Sequence, residues 1–266
     1  MAQVTSEFQF IGPLGNLSVY KMRGVDKLIV RKKGGASKEK IKTSPRFDRT
    51  RRNNAEFSGR ACASKWIMCM LRPQKALADY NIAGPLNALM RAIQKLDTVS
   101  ELGKRTIELS KNPRLLEGFS LNRATPFDSM LRASLSYTIS KENLTASVDI
   151  PALEPGINFF AQKRNPMYSV VVVLGIVPDL SYAGDNKYEP AARGYEAYFS
   201  ETVVSDWYTV ASGSPATTLS VNLDAIPPDK AHSVMLTIGI RFGTMINPDT
   251  VQQVRYAGSA KVLAMA

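Results

Sequence analysis

Arg46, Arg49, Arg51 and Arg52 crowd into the stretch "KTSPRFDRTRRNNAEF" (residues 42–57), with Asn53 and Asn54 directly behind them. Guanidinium groups fork onto carboxylates and phosphates, and Arg and Asn are side chains that read base edges. Lys32 and Lys33 lie just upstream. These eight residues are candidates either for contacting phosphates or for joining copies of the chain, with a solvated loop as the third reading. Residues 21–60 hold 14 Lys/Arg and 4 Asp/Glu, enough to neutralise a row of phosphates with salt-sensitive affinity. Only Phe47 and Phe57 interleave with the arm, which is thin for a base-stacking platform.

Other reactive side chains are sparse. No GxSxG, phosphate-binding glycine loop or HExxH pattern occurs. The single histidine, His232 in "PPDKAHSV", reads as a loop residue without a partner. The carboxylates of "GDNKYEP" (residues 184–190) lack calcium-loop spacing and read as a solvated loop. Cys62 and Cys69 fall two turns apart on a predicted helix, roughly 10 Å, beyond disulfide reach. They are expected to be reduced, buried thiols. Two cysteines and one histidine supply too few ligands for a metal site. The sequence therefore predicts no enzyme, no cofactor, no metal and no small-molecule substrate.

The net charge of +11 is regional: +14 in residues 1–124 and −3 in residues 125–266. "MAQVTSEFQFIG" has no secretory pattern, so cytoplasmic synthesis is expected. The longest apolar run, "SVVVVLGIV" (residues 169–177), is too short to span a bilayer.

The elements that would position the arm follow from periodicity. "EFQFIG" (residues 7–12) reads as β-structure. "NLSVYKM" (16–22) and "KLIVRKK" (27–33), joined by "RGVD", read as a hairpin. Residues 34–54, with paired glycines and Pro45, read as an extended connector. A helix is predicted from Asn53 or Asn54 to Pro73, with Phe57, Ala61, Ser64, Met68 and Leu71 as its apolar face. A second is predicted over 85–97, a third over 101–110, and a capped turn at "NPRLLEG" (112–118). From residue 125 the period changes to two, with seven strands predicted: 131–139, 144–150, 167–177, 195–204, 217–223, 234–242 and 259–266. The expected fold is α+β. Residues 1–124 would form a hairpin, basic arm and small helical region, and residues 125–266 an antiparallel, Ig-like β-sandwich.

"GPLGNLSVYKMRG" (12–24), "TSPRFDRTRRNNAEF" (43–57), "LLEGFSLNR" (115–123) and "IGIRFGTMIN" (238–247) together resemble a family of Bacteroidota proteins. That family combines a GxxGN hairpin, a basic RxxRNN-like segment and a β-rich second half. The resemblance implies this architecture and brings no activity, cofactor or catalytic residue.

A hairpin too small to stand alone, a basic front with a mildly acidic back, and open strand edges favour self-association. Heterologous contacts of that kind give rings or open filaments. A homo-oligomeric structural protein is thus the favoured function, and nucleic-acid binding through residues 21–60 the alternative.

Overall fold

A computed structural model describes residues 10–22, 25–161, 164–195, 199–247 and 249–266, together with the backbone of 2–4. The fold is α+β with antiparallel sheets, and the chain divides into two compact units, residues 1–51 and 52–266.

Unit one is a four-stranded sheet followed by a short helix. Its strands are β1 (Ala2–Val4), β2 (Gly12–Leu14), β3 (Leu17–Tyr20) and β4 (Leu28–Lys32), in the order β1-β4-β3-β2. β3 and β4 form the expected hairpin, with Val19 opposite Val30. Gly15, at φ 53°, turns β2 back onto β3 so that Leu14 faces Leu17, a left-handed conformation that favours glycine. Of the predicted β-segment 7–12, residues 7–9 lie outside the described residues.

The predicted connector 34–54 is not extended. It holds helix α1 (Lys38–Thr43), a 3-10 turn (Pro45–Phe47) and the start of α2 (Asp48–Met70). Ser37 Oγ accepts the Lys40 amide and so caps α1. Ser37 and Pro45 act as start signals here, although Pro45, read as a breaker, suggested a loop.

Unit two is built on a long sheet. After α2 come a 3-10 turn (Arg72–Leu77), α3 (Ala83–Gln94), a second 3-10 turn (Pro113–Leu115) and the single-turn α4 (Phe127–Met130). The strands are β5 (Ser136–Ser140), β6 (Thr145–Ile150), β7 (Met167–Pro178), β8 (Leu180–Gly184), β9 (Lys187–Pro190), β10 (Ser200–Val204), β11 (Tyr208–Thr209), β12 (Thr217–Asn222), β13 (His232–Asn247) and β14 (Thr250–Met265). The main sheet runs β10-β7-β13-β14, with β11 also paired to β7. β12-β6-β5 form a second sheet and β8-β9 a hairpin.

The unbroken apolar run of β7 is explained by burial on both faces. Tyr168, Val170, Val172, Leu174 and Ile176 enter one core with Ala146, Val148 and Val221 of the three-stranded sheet. Val171, Val173 and Val177 enter the other with Ile67 and Met70 of α2 and Leu86, Met90 and Ile93 of α3. The helices of 52–124 therefore share a core with the sheet. This is why the units divide at 51/52, where the sequence pattern suggested 124/125. α2 lies close because the sheet is bare beneath it: a Cβ on Gly175 would meet Met70 Sδ at 2.6 Å.

The buried face of α2 agrees with the predicted one at Ser64, with Leu71 just beyond the helix also buried, and differs elsewhere. Gly59, Ala63, Ile67 and Met70 point inward, while Phe57 is 55% exposed, with the Arg60 guanidinium 5.7 Å from its ring centre. Gly59 must be small, because a Cβ there would stand 2.8 Å from the Tyr188 ring. The predicted helix 101–110 is absent. Ile107 and Leu109 are fully buried at a spacing of two, and Ile107 bridges Leu180 of β8. The carboxylate of Asp97 holds the preceding turn by accepting the amides of Val99, Ser100 and Thr106. The strand predicted over 131–139 begins only at Ser136. Of the strand predicted over 195–204, Ser200–Val204 is β10 and residues 196–198 lie outside the described residues.

Candidate interaction surfaces

The eight basic and amide residues singled out in the sequence do not act as one group. Arg51 is taken up inside unit one. Its Nη1 donates to Ile41 O (2.8 Å) in the last turn of α1 and to Ser44 O (2.9 Å), which also accepts the Phe47 amide, and its Nη2 reaches Asp48 Oδ1 at 3.4 Å. The fork thus closes the corner between α1 and α2. Lys33 Nζ donates to Gly15 O (3.0 Å) across the β2–β3 turn. Arg46, Arg49 and Lys32 are exposed. Arg52, Asn53 and Asn54 are exposed on α2, which starts at Asp48, so neither asparagine caps it. The main chain at Arg52 is crossed by Gly103 (φ 99°), where a Cβ would stand 3.0 Å from Arg52 Cα.

Apolar surface lies beside these charges in unit one. Phe10, Ile11, Leu14 and Met22 are 44%, 67%, 56% and 42% exposed, all on or next to the β2–β3 hairpin. Among the described residues of the unit, the buried apolar side chains are Val19, Leu28 and Ile29. β2 is an edge strand and carries Pro13, which withholds one donor from that edge.

The reactive side chains of unit two are built into its framework. His232 is not a loop residue: it opens β13 opposite Pro178 and is 5% exposed. Its Nδ1 donates to Asp229 O at 2.9 Å, leaving Nε2 buried as a bare acceptor. Tyr195 donates its hydroxyl to Asp229 Oδ1. The phenol is held far above its usual range by burial and by that carboxylate. "GDNKYEP" is the β8–β9 hairpin, turned by Asp185 and Asn186 at φ 48° and 59°, as a two-residue turn of mirror-image type requires. Cys62 and Cys69 are free and half-buried. Cys62 Sγ donates to Tyr188 O at 3.3 Å, and burial pushes its thiol pKa up. Among the described residues, no group of three His, Cys, Asp or Glu could hold a metal ion, and no helix is long and apolar enough to cross a membrane.

Burial, then Lys141, depresses the pKa of His232, against the opposing pull of Asp229 and Asp179. As pH falls below about 6.5, the unfolded imidazole takes up a proton before the folded one does. Stability contributed above that pH is therefore lost as the folded pKa is approached. The melting temperature is expected to fall between pH 7.5 and pH 5.5, and to fall less in His232→Asn. Equal slopes for the two proteins would show that the imidazole does not titrate against folding.

Comparison with known protein families, with curated proteins and with solved structures gives no match. Function is thus argued from the surfaces alone. Exposed apolar edge residues are legible in sequence only when the strand order is known, because β2 reads like any short strand until its outer side is seen to be open.

Proposed function

We propose that the protein is a non-catalytic structural subunit that associates with copies of itself through its N-terminal unit. One observation carries this: unit one exposes four large apolar side chains beside an edge strand while burying three among its described residues. A sheet of that size gains little from burial alone, and large apolar side chains left exposed along one edge hairpin are candidates for an interaction surface. A second copy pairing with β2 would cover Ile11 and Leu14 and satisfy edge backbone groups. The three-stranded sheet facing the main sheet across a common core supports reading unit two as an Ig-like sandwich. The open edge at β5 would then serve as a second contact, making rings or filaments available to the assembly.

Ile11→Asp/Leu14→Asp places two charges on that surface. The double variant is expected to elute at monomer mass with an unchanged melting temperature, since neither residue is buried. A variant that keeps the parent's mass would sink the proposal.

A second reading is favoured by a separate observation. Lys38, Lys40, Lys42, Arg46 and Arg49 are exposed on the α1–α2 segment, and none of them has an ion pair among the described residues. Such a row would bind phosphates non-specifically, with affinity falling steeply in salt. Arg46→Ala/Arg49→Ala would then lower the salt dependence of DNA or RNA binding and leave the particle mass unchanged.

A further inference from the structure

Helix α2 has a second face, opposite the one packed on the sheet. Lys65, Met68 and Cys69 stand at i, i+3 and i+4, the spacing that places side chains on one side of a helix, and Arg72, at i+7, opens the 3-10 turn that follows. Lys75 follows from the next turn. Tyr80 stands beside them, its ring covered by the Arg123 guanidinium 4.3 Å from the centroid. Together these residues and Tyr256 border a cleft of about 500 Å³, a volume in the range of small-ligand sites. Among the described residues, no Asp or Glu lines it. The nearest carboxylate in sequence, Asp79, accepts the amides of Arg123 and Ala124.

Tyr256 reaches the cleft through an irregularity in β14. Arg241 pairs with Gly258 and Gly243 with Gln253, so residues 254–257 bulge out opposite Phe242 alone. Bulges of this kind re-aim side chains and concentrate next to sites. Tyr256 sits at the bulge in the left-handed region, φ 59°, and is 75% exposed. A non-glycine residue held there is strained, and a side chain turned to solvent offsets none of that strain by burial. Gly258 closes the bulge where a Cβ would collide with Ile240 O at 2.2 Å, and buried Asn122 ties Gly258 O and Leu77 O together. The bulge is therefore a built feature of the sheet.

Three cations around an apolar, aromatic-walled slot suit a flat ring that carries phosphate. We propose that this groove binds a nucleotide, its base stacked on Tyr256 and its phosphate held by Lys65, Arg72 and Lys75. Aromatic side chains stack on any base, and Lys and Arg supply the phosphate contacts. The site is in unit two and is independent of self-association. The nucleotide is either a free mononucleotide or one residue of a single strand.

Cys69 lines the cleft and reports on it. Full-length protein is titrated with AMP, with a short oligoadenylate, and with adenosine and inorganic phosphate separately. Alkylation of Cys69 is followed by peptide mass mapping, which separates it from Cys62. AMP, oligoadenylate or both are expected to slow Cys69 alkylation, while adenosine and phosphate alone bind at least about tenfold more weakly. Protection by AMP identifies a free nucleotide as sufficient, and protection by the oligomer alone identifies a strand. Tyr256→Gly removes the ring and relieves the left-handed strain. It should leave the melting temperature no lower than the parent's and weaken binding about tenfold, the loss of one stacking contact. Lys65→Ala/Arg72→Ala/Lys75→Ala should abolish protection. Oligoadenylate bound at unit one would leave Cys69 reactive and ignore Tyr256. Failure of both AMP and oligoadenylate to protect Cys69, protection by phosphate alone as strong as by AMP, or undiminished binding by Tyr256→Gly overturns the proposal.

Discussion

Asn122→Ala is expected to destabilise the protein by about 3–5 kcal/mol in urea unfolding, among the largest effects of any single substitution. Asn122 is 3% exposed. Its Nδ2 donates to Leu77 O (2.7 Å) and Gly258 O (3.2 Å), and its Oδ1 accepts the amide of Ala260 (3.1 Å). One side chain thus joins the turn after α2 to the stretch of β14 that directly follows the bulge. Truncation strips three buried backbone groups of this partner, and each such loss costs about 1–3 kcal/mol. Asn122→Asp has the same shape and should do no better, because its carboxylate would face two carbonyl oxygens. An Asp variant as stable as the parent would show that shape alone matters there.

A chain of residues 45–266 is expected to melt cooperatively, give a β-rich circular dichroism spectrum and run as a monomer. Among the described residues, two cores of 23 and 22 buried side chains lie within 52–266. Removing the N-terminal sheet and α1 therefore keeps the residues of both cores while deleting the proposed association surface. The change in mass should be complete, and the change in melting temperature small. A truncated chain that still assembles would move the contact to the edges of unit two. A disordered one would show that unit two needs the N-terminal sheet to fold.

What could be read in the sequence depended on whether burial was signalled by large apolar side chains. β7 and β13 were legible because a doubly covered strand is a run of Val, Ile and Leu. The β3–β4 hairpin was legible from two β-rich runs around a short glycine-containing turn. The face of α2 was legible only at Ser64 and Leu71, because the residues that enter the core include Gly59 and Ala63, chosen for closeness rather than hydrophobicity, while Phe57 stays outside. Ile107 and Leu109 alternate as a strand does, but across too few residues to outweigh helix-favouring neighbours. Of the basic group, charge and crowding were visible, but the division of labour was not. Nothing in "RTRRNN" separates Arg51, locked onto the end of α1, from Arg49, which faces solvent. The bulge at residues 254–257 left one trace in the sequence, Gly258 ahead of an apolar strand, and strand order was needed to give it meaning.

The mass of the full-length protein in solution tests the central claim most directly. Light scattering after size-exclusion, on nuclease-treated protein at 0.1 M and 1 M salt, should return a multiple of 29.2 kDa at both ionic strengths, because apolar edge pairing is not screened as charge contacts are. A monomer at both salt concentrations, or a high mass that disappears with nuclease, would contradict self-association through the N-terminal unit.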